Sequence, residues 1–292
     1  MPTTAPSPTA GTARGPLLTQ AVLAPMQDAA RNGASTWTAS FDLGRSEECV
    51  RLATTGWCWR GADYPWPAAL RERTIYAFDG EEFVAIQRYD RSLIKLVPTQ
   101  WGAPTFEIDG IKMLPSAELS PYADAQRKAA LVAPRGKVIL DTCGGLGYFA
   151  CAAIEAGATR IVSFEKNADV LWLRTLNPWS PDPCDAALVD RLQLMHGDVT
   201  AHIGDLPAAS FDAVLHDPPR FGIAGELYAQ AFYDALARVL RPRGRLFHYT
   251  GAPNSRRGGR DLPGEVARRL TRAGFACERA LDGVLATRRA PR

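Results

Sequence analysis

The chain has 292 residues, 46% of them hydrophobic and 22% charged, with 34 basic against 31 acidic side chains and a formal net charge of +3. This is the composition of an ordinary globular protein with room for one large domain or two modest ones, and it argues against a disordered chain, a collagen or a coiled coil. A balance so near neutrality does not point to a polyanion as the main partner.

No run of about 18 apolar residues is present, so no membrane-spanning helix is expected. The opening MPTTAPSPTAGTARGP lacks the basic start and apolar centre of a secretory signal, and the cytoplasm is the expected location. Residues 1–35 are rich in Pro, Ala, Thr and Gly and read as a flexible N-terminus. Residues 36–115 then read as a small β-rich domain. Its short pieces TWTASFDL, TIYAFDG, EFVAIQRYD, LIKLVPTQ and TFEIDGIKML are punctuated by Gly, Asp and Pro, as turns between antiparallel strands require. Trp57, Trp59 and Trp66 lie close together there and read either as packing or as a pocket wall.

From residue 116 to 292 the period changes. ADAQRKAALVA, FACAAIEAG, NADVLWLRTL and AQAFYDALARVL read as helices, while KVILD, RIVSF, LQLMH, DAVLH and RLFHY read as strands between them. Alternating β and α at this spacing predicts an α/β fold, a Rossmann-like parallel sheet with its ligand at the strand C-termini. The six cysteines form no C-x-x-C pair and the four histidines no metal-ligand spacing, so neither a metal site nor a disulfide framework is expected. Residues 256–292 carry ten arginines against four acids. That basic end reads as a solvated surface, with contact to RNA or an acidic substrate as the alternative.

The chemistry concentrates at strand ends. Val138-Ile-Leu-Asp141-Thr-Cys143-Gly144-Gly145-Leu-Gly147 is a buried strand delivering an acid and then a glycine turn, which lets the backbone bend tightly beside a ligand and open a helix. RIVSFEKN ends in Glu165 and Lys166, and a carboxylate there can accept both hydrogen bonds of a ribose diol. LMHGDVT places Asp198 after a third strand, within reach of an adenine amino group. FDAVLHDPPRFG ends a fourth strand with His216 and Asp217, followed by two prolines, Arg220 and Phe221.

Four acid-ended strands in this order resemble the class I S-adenosyl-L-methionine (SAM)-dependent methyltransferases, over about half the chain. By that resemblance Asp141 and the turn from Cys143 through Gly144, Gly145 and Gly147 hold the amino-acid end of SAM, Glu165 and Lys166 flank the ribose, and Asp198 meets the adenine. Cys143 replaces the family's first glycine and reads as a tolerated small residue, not a nucleophile. The motifs DTCGGLGY, LNPWS, HDPPRFGIAGELY and FHYTG further resemble spermidine- and spermine-synthase-like predicted methyltransferases. That likeness implies that the N-terminal β-rich domain is a lid over the substrate. Aminopropyltransferases usually carry a further acid shortly after the fourth-strand Asp, where this chain has Pro218, Pro219 and Arg220, so ordinary polyamine synthesis is demoted.

The sulfonium of SAM activates its methyl, C5′ and Cγ carbons, and the surrounding walls decide which one meets a nucleophile. The candidate catalytic residues are Asp217, Arg220, Tyr122, His216 and His248, with Tyr228 and Tyr249 beside them. Asp217 would receive or orient a nitrogen, and Arg220 would grip a carboxylate in bidentate fashion. Three functions follow in order of preference. The first is methyl transfer to a small amine or amino acid. The second is attack on Cγ with release of methylthioadenosine, either aminopropyl-like or as closure of SAM to 1-aminocyclopropane-1-carboxylate or azetidine-2-carboxylate, chemistry met in natural-product pathways. The third is RNA methylation. The expected partner is a small molecule, with no nucleic acid, no membrane, no metal and no PLP; homodimerisation stays open.

Overall fold

The computed structural model describes residues 3–4, 15–251 and 261–290. These fall into two compact units, one within Pro8–Pro121 and Trp172–Trp179, the other within Tyr122–Leu171 and Ser180–Arg292 together with the first residues of the chain.

The N-terminal unit is built of three small antiparallel sheets and one helix. Strands Thr36–Ala39, Glu48–Leu52, Gly56–Trp59 and Ala62–Pro65 form the first sheet; Leu17–Leu18, Tyr76–Phe78 and Phe83–Ala85 the second; Gln87–Tyr89, Leu93–Val97, Thr105–Ile108 and Ile111–Lys112 the third. Trp57 is buried and stacks on Phe41 at 4.6 Å and on Tyr64 at 4.9 Å. Trp59 is also buried, and Trp66 packs at the edge with its Nε1 donating to the Ala53 carbonyl. The tryptophan cluster is therefore chiefly packing. Gly102 adopts φ +83°, and a Cβ there would lie 2.6 Å from the Leu43 carbonyl oxygen, so only glycine fits.

Two expectations about this unit are corrected. Residues 1–2 and 5–14 lie outside the described residues, but the rest of the expected flexible N-terminus is not irregular: Gln20–Arg31 is a helix capped by Thr19. Its Leu23 and Met26 are buried in the aromatic core, and that packing outweighs Pro25 and the absence of an acid in the first turn, which mask the helix in the sequence. The second correction is that Trp172–Trp179, within the stretch assigned by sequence to the catalytic domain, belongs to the N-terminal unit. Arg88 lies 3.6 Å from the Trp172 ring centroid, and Trp179 Nε1 donates to the Leu43 carbonyl.

The second unit is the predicted α/β sheet. Its strands are β1 (Val138–Asp141), β2 (Arg160–Glu165), β3 (Leu192–His196), β4 (Phe211–His216), β5 (Leu240–Tyr249), β6 (Phe275–Ala280) and β7 (Gly283–Arg288). They are ordered 3-2-1-4-5-7-6, with Thr3–Thr4 paired outside β3. β1 to β5 run parallel, and β7 is antiparallel to both β5 and β6. The helices are α1 (Pro121–Val132), α2 (Tyr148–Glu155), α3 (Ala168–Leu176, of which the part from Trp172 on belongs to the N-terminal unit), α4 (Val199–His202), α5 (Gln230–Val239) and α6 (Leu262–Arg272).

Strand alternation divides the core into two layers. Leu140, Val162, Val214 and Leu246 face a cluster with Phe232, Leu236, Val266 and Leu270 from α5 and α6. Ile139, Ile161, Leu215 and Phe247 face the other way, onto Ala129, Val132, Phe149 and Ile154 from α1 and α2. Because both faces are covered, VILD and DAVLH read as nearly continuous apolar runs. The order reverses at β1, where the chain leaves toward β2 on one side and later returns as β4 on the other. Such a switch opens a crevice at the C-terminal strand ends, and every acid singled out in the sequence lies along that edge.

Candidate active site

At the tip of β1, Asp141 is fully buried and its Oδ2 accepts from Ser163 Oγ at 2.8 Å, across the pairing of β1 with β2. The chain then turns through Gly145 (φ +51°) and Gly147 (φ +82°) into α2. Both φ values lie in the left-handed region that glycine enters without strain. At the tip of β2, Glu165 closes on this turn: Oε2 accepts the Gly145 N–H at 2.9 Å and Oε1 the Asn167 N–H at 2.8 Å.

Cys143 sits under the turn, with its thiol pushed well above the usual range by burial and then by the neighbouring Glu165 carboxylate. A thiol held protonated is a poor nucleophile. Asp198, after β3, is the N-cap of α4: its Oδ1 accepts from the Thr200 N–H and hydroxyl, and its Oδ2 lies 3.4 Å from Lys166 Nζ. Lys166 is itself half exposed and also 3.7 Å from Glu226. Solvent weakens both pairs.

Between β4 and β5 the site is built differently from what the sequence suggests. Asp217 does not stand alone. Lys128 Nζ, from the third turn of α1, donates to Asp217 Oδ2 at 2.7 Å, and lies 2.9 Å from Asp124 Oδ2 one turn earlier on the same helix. The ammonium also sits 4.0 Å from the centroid of the Tyr249 ring at the end of β5. The Lys128 side chain is 5% exposed, Asp124 15% and Asp217 22%. Burial alone would lower the amine's pKa; the carboxylates of Asp217 and then Asp124 outweigh it and hold it above its ordinary value. The same surroundings push the Tyr249 hydroxyl up, burial first and the Asp217 charge next.

His216 and His248 are brought together, their ring centroids 4.4 Å apart, but both are fully buried inside the sheet. A carbonyl can only accept, so His216 Nε2 donates to Leu227 O at 3.0 Å and Nδ1 accepts from the Thr142 hydroxyl at 2.7 Å. By the same reasoning His248 Nδ1 donates to the Tyr249 carbonyl at 2.8 Å and Nε2 accepts from the Tyr233 hydroxyl at 3.0 Å. Burial, reinforced by His248, drives His216 well below its ordinary pKa, and burial brings His248 to about 4. With both nitrogens of each ring engaged, the pair forms a neutral polar core beneath the site.

Tyr122 lies at the start of α1, its ring edge-on to Tyr148 at 5.8 Å and its hydroxyl on Cys151 and Glu155. Those residues are one and two turns along α2 from the glycine turn. Burial raises the hydroxyl pKa strongly. Arg220 is exposed. The loop that carries it is anchored by Tyr228, whose hydroxyl donates to Pro219 O at 3.1 Å and whose own carbonyl accepts from Arg269 Nη1 at 2.7 Å.

This geometry can be set against known proteins. A family model described as S-adenosyl-L-methionine-dependent methyltransferase matches residues 180–280. An uncharacterized protein of Methanocaldococcus jannaschii, MJ1233, is 41% identical over 208 residues, covering 71% of this chain and 69% of that protein. The chain belongs to the class I SAM-dependent methyltransferase superfamily. Polyamine aminopropyltransferase 2 of Streptomyces coelicolor is 28% identical over 153 residues, which is 51% of this chain and 27% of that enzyme. A crystal structure of spermidine synthase with the transition-state analogue AdoDATO shares the fold with a TM-score of 0.54 at 15% identity, covering 69% of this chain and 72% of that one.

As a member of this superfamily the chain is a SAM-dependent transferase, and the residues at the β1 and β2 tips fit the cofactor. The glycine turn admits close backbone approach, and Glu165 presents its carboxylate against that turn. SAM, when bound, supplies a sulfonium that activates the carbons around it. In this methyltransferase-fold protein the residues missed by sequence reading are Lys128, Asp124, Ser163, Thr142 and Tyr233. A signal for Lys128 was present: with Ala125, Ala129 and Val132 it falls on the i, i+3, i+4, i+7 stripe that faces the core. A lysine on that stripe requires a buried counter-charge.

Proposed function

We propose that the chain transfers the methyl group of SAM to the nitrogen of a small amine or amino acid, with Asp217 orienting that nitrogen. The observation that carries this reading is the Asp124–Lys128–Asp217 cluster, two carboxylates arranged around an ammonium at the tip of β4. An ammonium or amine is the group a nitrogen acceptor presents. Asp217 bonds Lys128 through Oδ2 only; its Oδ1 has no hydrogen-bond partner among the described residues, and the side chain retains exposure. One carboxylate oxygen is thus left to accept an N–H from the acceptor and to turn its lone pair toward the reacting carbon.

The other roles follow from position. Asp141 and the glycine turn hold the amino-acid end of SAM, Glu165 the ribose hydroxyls, and Asp198 the adenine edge through Oδ2. Arg220, exposed beside the rigid Pro218–Pro219 pair, is free to grip a carboxylate of an amino-acid acceptor. A second reading, displacement at Cγ with release of methylthioadenosine, draws support from the likeness to polyamine aminopropyltransferases. The reading as an RNA enzyme draws less support, because three of the six C-terminal arginines among the described residues, Arg269, Arg279 and Arg288, are engaged with Tyr228 O, Asp261 and Leu240 O.

The test is to incubate the purified protein with SAM alone and with panels of amines and amino acids, and to identify products by mass spectrometry. S-adenosylhomocysteine formed only with an acceptor is the expected result. Methylthioadenosine as the product replaces methyl transfer by the second reading, and no product from any panel rejects both. Asp217→Asn should keep SAM affinity while turnover falls by roughly 10²–10⁴.

A further inference from the structure

Lys128 is the one cation in the buried stripe of α1, and its charge is fully enclosed by two carboxylates and an aromatic face. Breaking such a pair is costly and replacing it by apolar groups is often harmless, so stability alone does not account for an ammonium at the mouth of a catalytic crevice. The formal charge of the cluster is −1. Oδ2 of Asp217 and Oδ2 of Asp124 both point at Nζ, so the position between the two carboxylates is taken and a further positive group is left the outer oxygens, Oδ1 of Asp217 among them.

We propose that Lys128 is a specificity-determining residue of the acceptor site: its ammonium fills one of two cation seats between Asp124 and Asp217, so that the site takes acceptors with a single ammonium, monoamines or amino acids, and rejects diamines and polyamines. This rests on the reading that Asp217 faces the acceptor. A diamine held through one nitrogen at Asp217 Oδ1 finds the position between the two carboxylates already occupied by Lys128 Nζ. Its second ammonium gains no partner there and is repelled by Lys128 wherever it approaches. An amino acid has no such second cation, and its carboxylate is attracted by the exposed Arg220 across the same loop.

The prediction is reciprocal. Lys128→Ala vacates the inner seat without removing either carboxylate, and a short diamine can then span both seats. Calorimetry of the full chain without SAM, using butylamine, 1,3-diaminopropane and 1,4-diaminobutane as probes, should show wild-type protein binding butylamine several-fold more tightly than either diamine. Lys128→Ala should prefer a diamine by about tenfold or more, as one additional charge-assisted hydrogen bond implies. If Lys128→Ala does not fold, Lys128→Leu serves, because its shorter apolar side chain keeps the packing of the stripe and leaves both carboxylate oxygens without a donor. Adding Asp217→Asn to either variant should abolish the preference. An unchanged monoamine-to-diamine ratio in the folded variant, or a preference that survives Asp217→Asn, overturns the proposal. Because binding is read without SAM, a wild-type protein that turns over no SAM refutes the transferase assignment of the acceptor while the amine ratio still decides this inference.

Discussion

The neutral histidine pair makes stability depend on pH in a way that the geometry allows to be sized. His248 is fully buried, faces the Tyr233 hydroxyl and the Tyr249 carbonyl, and lies 4.4 Å from the His216 ring centroid to centroid. Its pKa falls from 6.5 to about 4 because burial opposes the charged form. In the unfolded chain the same imidazole protonates near 6.5, so between these values the unfolded state binds more protons and stability rises with pH. The contribution is complete above about pH 6.5 and is lost as pH falls toward 4. Linkage gives a loss of about 2 kcal/mol by pH 5 and about 3 kcal/mol by pH 4 from this one residue. His216, also displaced downward, adds a loss of the same sign. The assay is urea unfolding of wild type and His248→Gln at pH 7.5, 6.0 and 5.0; glutamine preserves a donor and an acceptor but does not titrate there. The stability difference between the two proteins should shrink by about 2 kcal/mol from pH 7.5 to pH 5. A difference that stays constant over that range refutes the claim that His248 is buried neutral.

Two further predictions concern the cofactor edge. Glu165→Ala removes the acceptor of the Gly145 and Asn167 N–H groups as well as the charge offered to a diol, so SAM affinity measured by calorimetry on folded protein should fall about ten- to a hundredfold. Cys143→Ser should retain turnover, and the Cys143 thiol, held protonated by burial, should react with iodoacetamide at pH 8 more slowly than exposed Cys49 or Cys184 in peptide-resolved labelling.

The sequence by itself determined the parallel sheet and its cofactor edge. The reason is local: strands buried on both faces must be apolar along their whole length, and a chain turning sharply at a strand tip needs glycine, so KVILD, DAVLH and the Gly144–Gly147 turn carry their structure in their letters. The acids Asp141, Glu165, Asp198 and Asp217 sit at strand ends for the same reason. The helix Gln20–Arg31 was hidden because its stability comes from burying Leu23 and Met26 in a core assembled from distant strands. No local propensity records that contact. Only the tertiary structure decided the state of Asp217 and of the two histidines. Asp217 and Lys128 are 89 residues apart, and the carboxylate expected to receive or orient a nitrogen already shares a buried ammonium with Asp124. The two histidines read as catalytic candidates are likewise held neutral by burial, which comes about only when β4 and β5 align beside α5 and bring Thr142 and Tyr233 against their rings. A residue's type is written in the sequence, but its charge and its free lone pairs depend on what folding places within 3 Å of it.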